Sequence, residues 1–318
     1  MATNLGWEFY KGYFRNFTNE DYILSIKKEK TDNEKEYLKT KLNINSLFDT
    51  FDIIEDEMIG NIHFKATTTY PGLLLGSGYL HELHDVKGQL ILGFDFDYTT
   101  GLPIIRGSSI KGVLRSAFKD NSSTNSSTKG VLRKKYIKEI LQKEIDVKAL
   151  ELEIFGQENA SNDTLAGKDV FFDAQIIKIQ NTLLADDYLA PHKEITKDPI
   201  PLRFLKVAPN VTFRFDFELS DGIISKEQKR ELFKTILEDL GIGAKTNVGY
   251  GKFYIPITKS DNPIENYKKP NQDLFKKLKE LNLSNEKKKE YFEIFQKKFA
   301  NEDKNGKWMK KITNLLMN

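Results

Sequence analysis

The chain has no cysteine and only four histidines, two tryptophans and nine prolines among its 318 residues. Without cysteine there is neither a disulfide nor a thiolate metal site, and four scattered histidines offer little from which to build a zinc centre. Redox and zinc chemistry are therefore set aside, and no cofactor or metal is expected. No stretch approaches the roughly 18 consecutive apolar residues that a membrane-spanning helix needs, and the opening MATNLGWEFYKGYF lacks the apolar core of a signal peptide. A cytoplasmic protein with no membrane partner is expected. Large net charge is missing too, since +3 is too small to announce a nucleic-acid binder. The charge is unevenly placed, however. Residues 263–318 hold fourteen lysines against eight acidic residues, so that segment carries +6 and the rest about −3.

What is present is an ordinary globular composition, 39% apolar and 12% aromatic, enough for one large core or two modest ones. Trp7 to about Leu47 reads as mostly helical. NIHFKATTTY (61–70) alternates as a strand does, and PGLLLGSG turns after it. A second extended region, QLILGFDFDYTTGLPII, leads into RGSSIKGVLRSAFKD, where Ile110, Val113, Leu114, Ala117 and Phe118 fall at helical spacing with Ser108 or Ser109 as a ready N-cap. The low-complexity DNSSTNSSTKG (120–130) reads as a flexible loop. One helix over about 131–152 follows, then strands in KDVFFDAQIIKI and in VTFRFDFEL with its alternating Val211, Phe213, Phe215 and Phe217. SKEQKRELFKTILEDL (225–240) predicts a helix ended by Gly241, VGYGKFYIPI a last strand, and the Lys-rich tail two amphipathic helices. The order strand, helix, strand, strand, helix, strand predicts an α+β, ferredoxin-like split βαβ core. In that arrangement the last strand lies beside the first, so the start of the helix at Ser108 and the loop at Gly241 should converge.

Two stretches carry the chemistry. GIGAKTNVGYG (241–251) sets four glycines around Lys245, Thr246 and Asn247, so backbone N–H groups and polar side chains can face an anion. It is not a nucleotide P-loop, because Ala244 rather than glycine precedes the Lys-Thr pair and a strand, not a helix, comes next. A bulged turn after a capped helix would look the same. RGSSIKGVLR alters the balance. A helix N-terminus welcomes phosphate, and Lys111 and Arg115, at i and i+4, share one face of that helix. Together the two stretches outline an anionic-ligand groove wide enough for a sugar-phosphate chain.

IRGSSIKGVLR (105–115), IFG (154–156) with AGKDVFFDA (166–174), and GIGAKTNVGYGKF (241–253) resemble the three signatures of the RAMP superfamily of CRISPR proteins. NLGWEFYKGYF and DPIPLRFLKVAP (198–209) fit its subunit-six branch of the type III-B (Cmr) effector complexes, and the likeness covers roughly residues 4–257. The resemblance implies a ferredoxin-like core at 61–257, an N-terminal helical segment (1–60) joined to it, a thumb-like insertion at 181–202 with Pro191 and His192, and a helical tail at 258–318 outside the likeness. It further implies a non-catalytic subunit that binds crRNA, touches the guide–target RNA duplex in antiviral defence, and caps the complex beside its repeated backbone subunit near the guide 3′ end. Target RNA, subunit one and the small helical subunit would be further partners. The implied RNA contacts are Arg106, Gly107, Ser108, Ser109, Lys111, Gly112, Arg115, His192, Gly243, Ala244, Lys245, Thr246, Asn247 and Tyr250.

Other readings compete. HELHD (81–85) places His81, Glu82, His84 and Asp85 where they could bind a metal or move protons, so an endoribonuclease using Asp85 is the alternative, and a repeated backbone subunit a third. The spacing does not fit the H-E-x-x-H of a zincin. Trp7, Tyr10, Phe14 and Phe17 have helical spacing that suits a core or subunit docking better than base stacking. Tyr250 could stack on a base or pack in the last strand. The tail, with Phe275, Leu278, Leu281, Phe292, Phe295 and Phe299 inside a lysine-rich outer face, could be a solvated surface or a contact for RNA or a partner.

Overall fold

Side-chain caps, Asn4 first, start the N-terminal helices. In this computed structural model, which describes residues 4–48, 53, 57–76, 81, 83, 86, 88–90, 92–118, 127–158, 164–189, 202–256, 262–280, 285–303 and 305–317, α1 (Leu5–Tyr10) precedes α2 (Asn19–Ile26) and α3 (Asp32–Lys41). Thr18 and Thr31 cap α2 and α3, and Asp21 and Glu34 reach back to the cap N–H groups, which satisfies two orphan donors at each start. Leu5, Phe9, Tyr13, Leu38 and Leu47 are buried in the main core. Trp7 stays half-exposed while Tyr10, Phe14 and Phe17 pack against that core, so the aromatic spacing marks the rim of the buried face.

The central sheet positions the site. Strand β1 (Ile62–Thr68) leads, through a long irregular connection, to α4 (Gly107–Ser116). Next come α5 (Ser127–Leu141) and α6 (Val147–Phe155) in place of the single helix expected over 131–152, because Gln142 turns left-handed at φ 50° and Asp146 caps a new start. The short pair β2 (Gly156–Glu158) and β3 (Thr164–Ala166) precedes β4 (Val170–Phe171) and β5 (Gln175–Ile179). A two-stranded antiparallel ladder follows, β6 (Leu184–Leu189) with β7 (Leu202–Val207). Then β8 (Val211–Glu218), α7 (Lys226–Leu240) and β9 (Phe253–Tyr254) complete the first of two compact units, Met1–Ile255.

The sheet runs β4–β8–β1–β9, with β5 also on β8, and each of its pairs is antiparallel. Phe64 faces Phe215 and Thr68 faces Phe253 across β1. The period of two in β8 sends Phe213, Phe215 and Phe217 into the core beneath Leu232, Phe233, Ile236 and Leu237 of α7 and Ile110 and Leu114 of α4. Truncating any one of those phenylalanines to alanine would cost about 3–5 kcal/mol. On its opposite side, Arg214 and Asp216 are buried as an ion pair at 2.9 Å, and His63 Nδ1 lies 3.0 Å from the same carboxylate. The last strand is only two residues long, since Gly249 and Gly251 in front of it both adopt positive φ.

The second unit, Pro256–Asn318, has its own core. Its lysine-rich sequence makes three helices rather than two: α8 (Gln272–Glu280), α9 (Asn285–Lys298) and α10 (Lys307–Met317). Ile264, Leu274, Leu278, Phe295, Ile312 and Leu316 are buried among them. No described helix is long and apolar enough to cross a membrane.

Candidate nucleic-acid interface

The glycine-rich loop is a rigid turn docked onto the chain that leaves β1. Ile242 N–H donates to Gly251 C=O at 2.9 Å and closes the loop on itself. Gly251 N–H donates to Gly72 C=O at 2.8 Å, and Ala244 N–H to Leu74 C=O at 3.1 Å. Gly243 has a φ of 87°, and a Cβ there would fall 2.3 Å from the Leu74 carbonyl oxygen, so no other residue fits. Lys245 is left-handed as well, at φ 60° and ψ 34°, and opens a short 3-10 turn over Thr246–Val248. Asn247 is exposed and Lys245 and Thr246 are half-exposed, so the polar tip faces outward.

Helix α4 begins one residue before the predicted serine caps. Arg106 is the N-cap residue, and Ser108 and Ser109 lie exposed in the first turn. The cap comes from elsewhere in the chain: Asp173, between β4 and β5, accepts the Gly107 N–H at 2.6 Å. Gly107 is required because a Cβ would meet the Phe171 carbonyl oxygen at 2.2 Å. The Arg106 guanidinium pairs with Asp95 at 3.0 Å and with Asp173 at 3.6 Å. Asp95 N–H in turn donates to Leu75 C=O at 3.0 Å. The loop and the start of α4 are thus joined by a short path: Ala244 on Leu74, Leu75 on Asp95, Asp95 on Arg106.

The four predicted cations divide into two kinds. Arg115 points inward, to Glu151 at 3.2 Å and the Gly156 carbonyl at 3.1 Å, and so ties α4 to α6. Arg106 is held by its two aspartates. Lys111 and Lys245, by contrast, have no carboxylate partner among the described residues. Gly112 is exposed with nothing within 4 Å of where its Cβ would be, so packing does not explain a glycine in mid-helix. The outward surface is therefore made of serine hydroxyls, a bare helix backbone, two lysines and the loop tip.

The comparison that decides the family covers most of this unit. A family model, the RAMP superfamily, matches residues 65–254. The chain belongs to the RAMP superfamily. A curated relative, the CRISPR system CMR subunit Cmr6 of Saccharolobus solfataricus, is 29% identical over 173 residues, 52% of this chain and 50% of that protein. The match thus spans about half the length of that relative. Among solved structures, a chain of the type III-B Cmr-beta complex bound to cognate target RNA is 24% identical with a TM-score of 0.42, covering 61% of this chain and 57% of that one. Cmr6 from Pyrococcus furiosus is 25% identical with a TM-score of 0.41, covering 61% and 97%.

In this RAMP chain the β6/β7 ladder is clasped to the loop. Leu73 bridges Val207, and Tyr250 is buried with Leu74 and Phe204 in a small cluster of its own. Tyr250 takes the packing alternative: its hydroxyl donates to Asp187 at 2.7 Å, and Lys206 meets the same carboxylate at 2.6 Å. Burial and the adjacent Asp187 carboxylate push the Tyr250 hydroxyl up. Burial works against charge on Asp187, but Lys206, Tyr250 and the Tyr188 N–H together hold its carboxyl below the usual range. His192 and Pro191 lie outside the described residues.

His81 is a core residue. Its ring stacks between Phe9 at 4.4 Å and Tyr13 at 4.2 Å, and its Nε2 donates to the Phe9 carbonyl at 3.0 Å. Burial pushes the imidazole down to about 4, against the pull of the Phe9 carbonyl. Glu82, His84 and Asp85 lie outside the described residues, and among the described residues no group of three potential ligands could hold a metal. Asp95 and Asp173 were not singled out in the sequence. The signal for them is their neighbourhood: Asp95 lies in FDFDYTT, just ahead of IRGSSIKGVLR, and Asp173 lies inside AGKDVFFDA.

Proposed function

We propose that this chain is a non-catalytic guide-RNA-binding subunit of a type III-B (Cmr) CRISPR ribonucleoprotein acting in the cytoplasm. What supports the reading is the exposed first turn of α4 together with the polar tip of the glycine-rich loop, joined by the path through Leu74, Leu75, Asp95 and Arg106. Together they present Ser108, Ser109, Lys111, a bare Gly112 and the 243–247 tip, and among the described residues no carboxylate neutralises their two lysines. Such a surface takes up phosphates of successive nucleotides through hydroxyls, N–H groups and isolated cations, with little preference for base. Arg106 and Arg115 position α4 from behind. The core is ferredoxin-like in this reading, supported by the strand order β4/β5–β8–β1–β9 with α4 and α7 on one face. The β6/β7 ladder is the base of a thumb that would carry His192 into the guide–target duplex. The repeated backbone subunit, subunit one and the small helical subunit are the protein partners. The test is co-purification of the tagged chain with the other subunits, followed by sequencing of bound RNA. Guide RNAs of one repeat-derived class should be enriched and lost together in the Lys111→Ala/Lys245→Ala double variant. Absence of guide RNA, or site-specific cutting of target RNA by the purified chain alone, would overturn the reading.

A further inference from the structure

The second compact unit lies wholly beyond the family match, which ends at residue 254. It has its own apolar core, and it carries the chain's positive charge. On α10, Lys307, Lys310 and Lys311 are all exposed, and their spacing of three and four residues lines them along one side. Ile312 and Leu316 are buried on the opposite side. Trp308 lies at the edge of that stripe, half-buried, with Lys307 Nζ 5.4 Å and Lys311 Nζ 5.0 Å from its ring centroid. Its ring also meets Phe275 of α8 at 5.9 Å, and Lys276 and Lys279 of that neighbouring helix are exposed. Among the described residues none of these five lysines has a carboxylate partner, although the unit contains carboxylates and Lys298 pairs with Glu265 at 3.1 Å.

An amphipathic helix that needs charge only for solubility can balance its lysines with acids at i+4, as pairs of that kind stabilise it. Here Lys307 and Lys311 lie over an aromatic ring, and among the described residues the five cations have no carboxylate partner. We propose that this unit is a second, independent RNA-binding surface, which takes single-stranded RNA by phosphate contacts to Lys276, Lys279, Lys307, Lys310 and Lys311 and by stacking of one base on Trp308. Isolated cations along a helix release counterions when they meet a phosphate chain. An indole beside them offers a sequence-tolerant platform for a base, and the ammonium groups over its ring move to the phosphates as the base arrives. A folded protein partner would need an apolar patch or paired acids at defined positions, and the surface offers point charges on long flexible stems instead.

The experiment uses the full chain and a mixed-sequence, single-stranded RNA oligomer. Affinity is followed against salt for the parent, for Lys307→Gln/Lys310→Gln/Lys311→Gln, and for Lys111→Ala/Lys245→Ala. The substituted residues on α10 are exposed, and an unchanged far-UV spectrum and melting midpoint check that the fold persists. Each neutralised single-strand contact removes about 0.7 from the log–log salt slope, so the triple variant should lose about two and bind about 100-fold more weakly at 0.1 M salt. In a Trp7→Phe background, Trp308 fluorescence should be quenched by the RNA, and Trp308→Leu should weaken binding about 5- to 100-fold, the loss of one stacked base. The Lys111/Lys245 double variant should retain both the quenching and the α10-dependent slope. An unchanged slope and affinity in the triple variant would overturn the proposal. So would a triple variant that binds RNA normally and fails only to join its protein partners. If the Lys111/Lys245 variant abolishes all RNA binding, the second surface does not exist and the guide-binding reading stands; if only the α10 triple variant matters, the reverse holds.

Discussion

Lys245 offers a test in which stability and RNA binding should move in opposite directions. Its backbone is left-handed, at φ 60° and ψ 34°, a region that costs an L-residue roughly 1–2 kcal/mol and costs glycine almost nothing. Two flanking positions, Gly243 and Gly249, use glycine for the same kind of turn, so the chain retains a side chain where glycine would be easier. The expected reason is the ammonium group. Lys245→Ala and Lys245→Gly both remove it, and only the second relieves the backbone. Glycine gives back part of the gain because it frees the unfolded chain, an offset of about 0.4–1 kcal/mol. The glycine variant should therefore be more stable than the alanine variant by about 1 kcal/mol, as read from urea denaturation of the purified proteins. Binding should not follow that order. One phosphate contact is worth about 0.7–0.9 in the log–log salt slope, or about 5- to 8-fold in affinity at 0.1 M salt. Both variants should lose that amount equally against guide RNA. An alanine variant as stable as the glycine one would show that the turn is unstrained, and full RNA affinity in both would remove Lys245 from the interface.

Three further outcomes are expected. Gly112→Ala should stabilise α4 by about 1 kcal/mol, since nothing occupies the space of the new methyl; if guide affinity falls as the melting midpoint rises, the glycine is there to let RNA approach, and unchanged affinity would refute that role. Tyr250→Phe keeps the ring in its cluster and removes the hydroxyl from Asp187, so amide hydrogen exchange across β6 and β7 should quicken and stability fall by about 1 kcal/mol; unaltered exchange would mean the clasp does not hold the ladder. His81, whose pKa burial lowers from 6.5 to about 4, stabilises the fold fully above pH 6.5 and loses that contribution as pH falls toward 4. Between pH 7 and pH 5 this amounts to about 2 kcal/mol, and His81→Phe should flatten the parent's decline by that much in denaturation curves recorded at the two pH values; parallel curves would show that the imidazole is not buried neutral.

The parts of the fold legible in the sequence were those specified by neighbours in the chain. Alternation in 61–70 and 211–219 gave β1 and β8. The helical run 225–240 and the stop at Gly241 gave α7 to within a residue. What was missed depends on residues far apart. Serine next to an apolar run reads as an N-cap, yet α4 is capped by Asp173, sixty-six residues away from Gly107. The break between α5 and α6 rests on one left-handed glutamine, a residue type with no particular preference for that conformation. The third helix of the tail begins after Gly306, where Asp303 and Asn305 form a turn that a count of lysines and phenylalanines passes over.

The same distinction between local and distant partners governs the candidate site. In RGSSIKGVLR, Lys111 and Arg115 are equivalent by spacing, and periodicity assigns both to one phosphate-facing side. The structure separates them because Glu151, buried in α6, needs a partner, and a guanidinium with its fork of donors can satisfy both that carboxylate and the Gly156 carbonyl while spanning two helices. Arg106 is consumed likewise by Asp95 and Asp173. Arginine's geometry is spent on fixing where α4 begins and how it lies, and the two half-exposed lysines are left without a carboxylate partner among the described residues. A sequence count of basic residues therefore overstates the cations available to a nucleic acid by a factor of two in this pair of motifs. The surface that remains is one of hydroxyls, amide N–H groups and two lysines, groups that meet a phosphate oxygen more readily than a base edge.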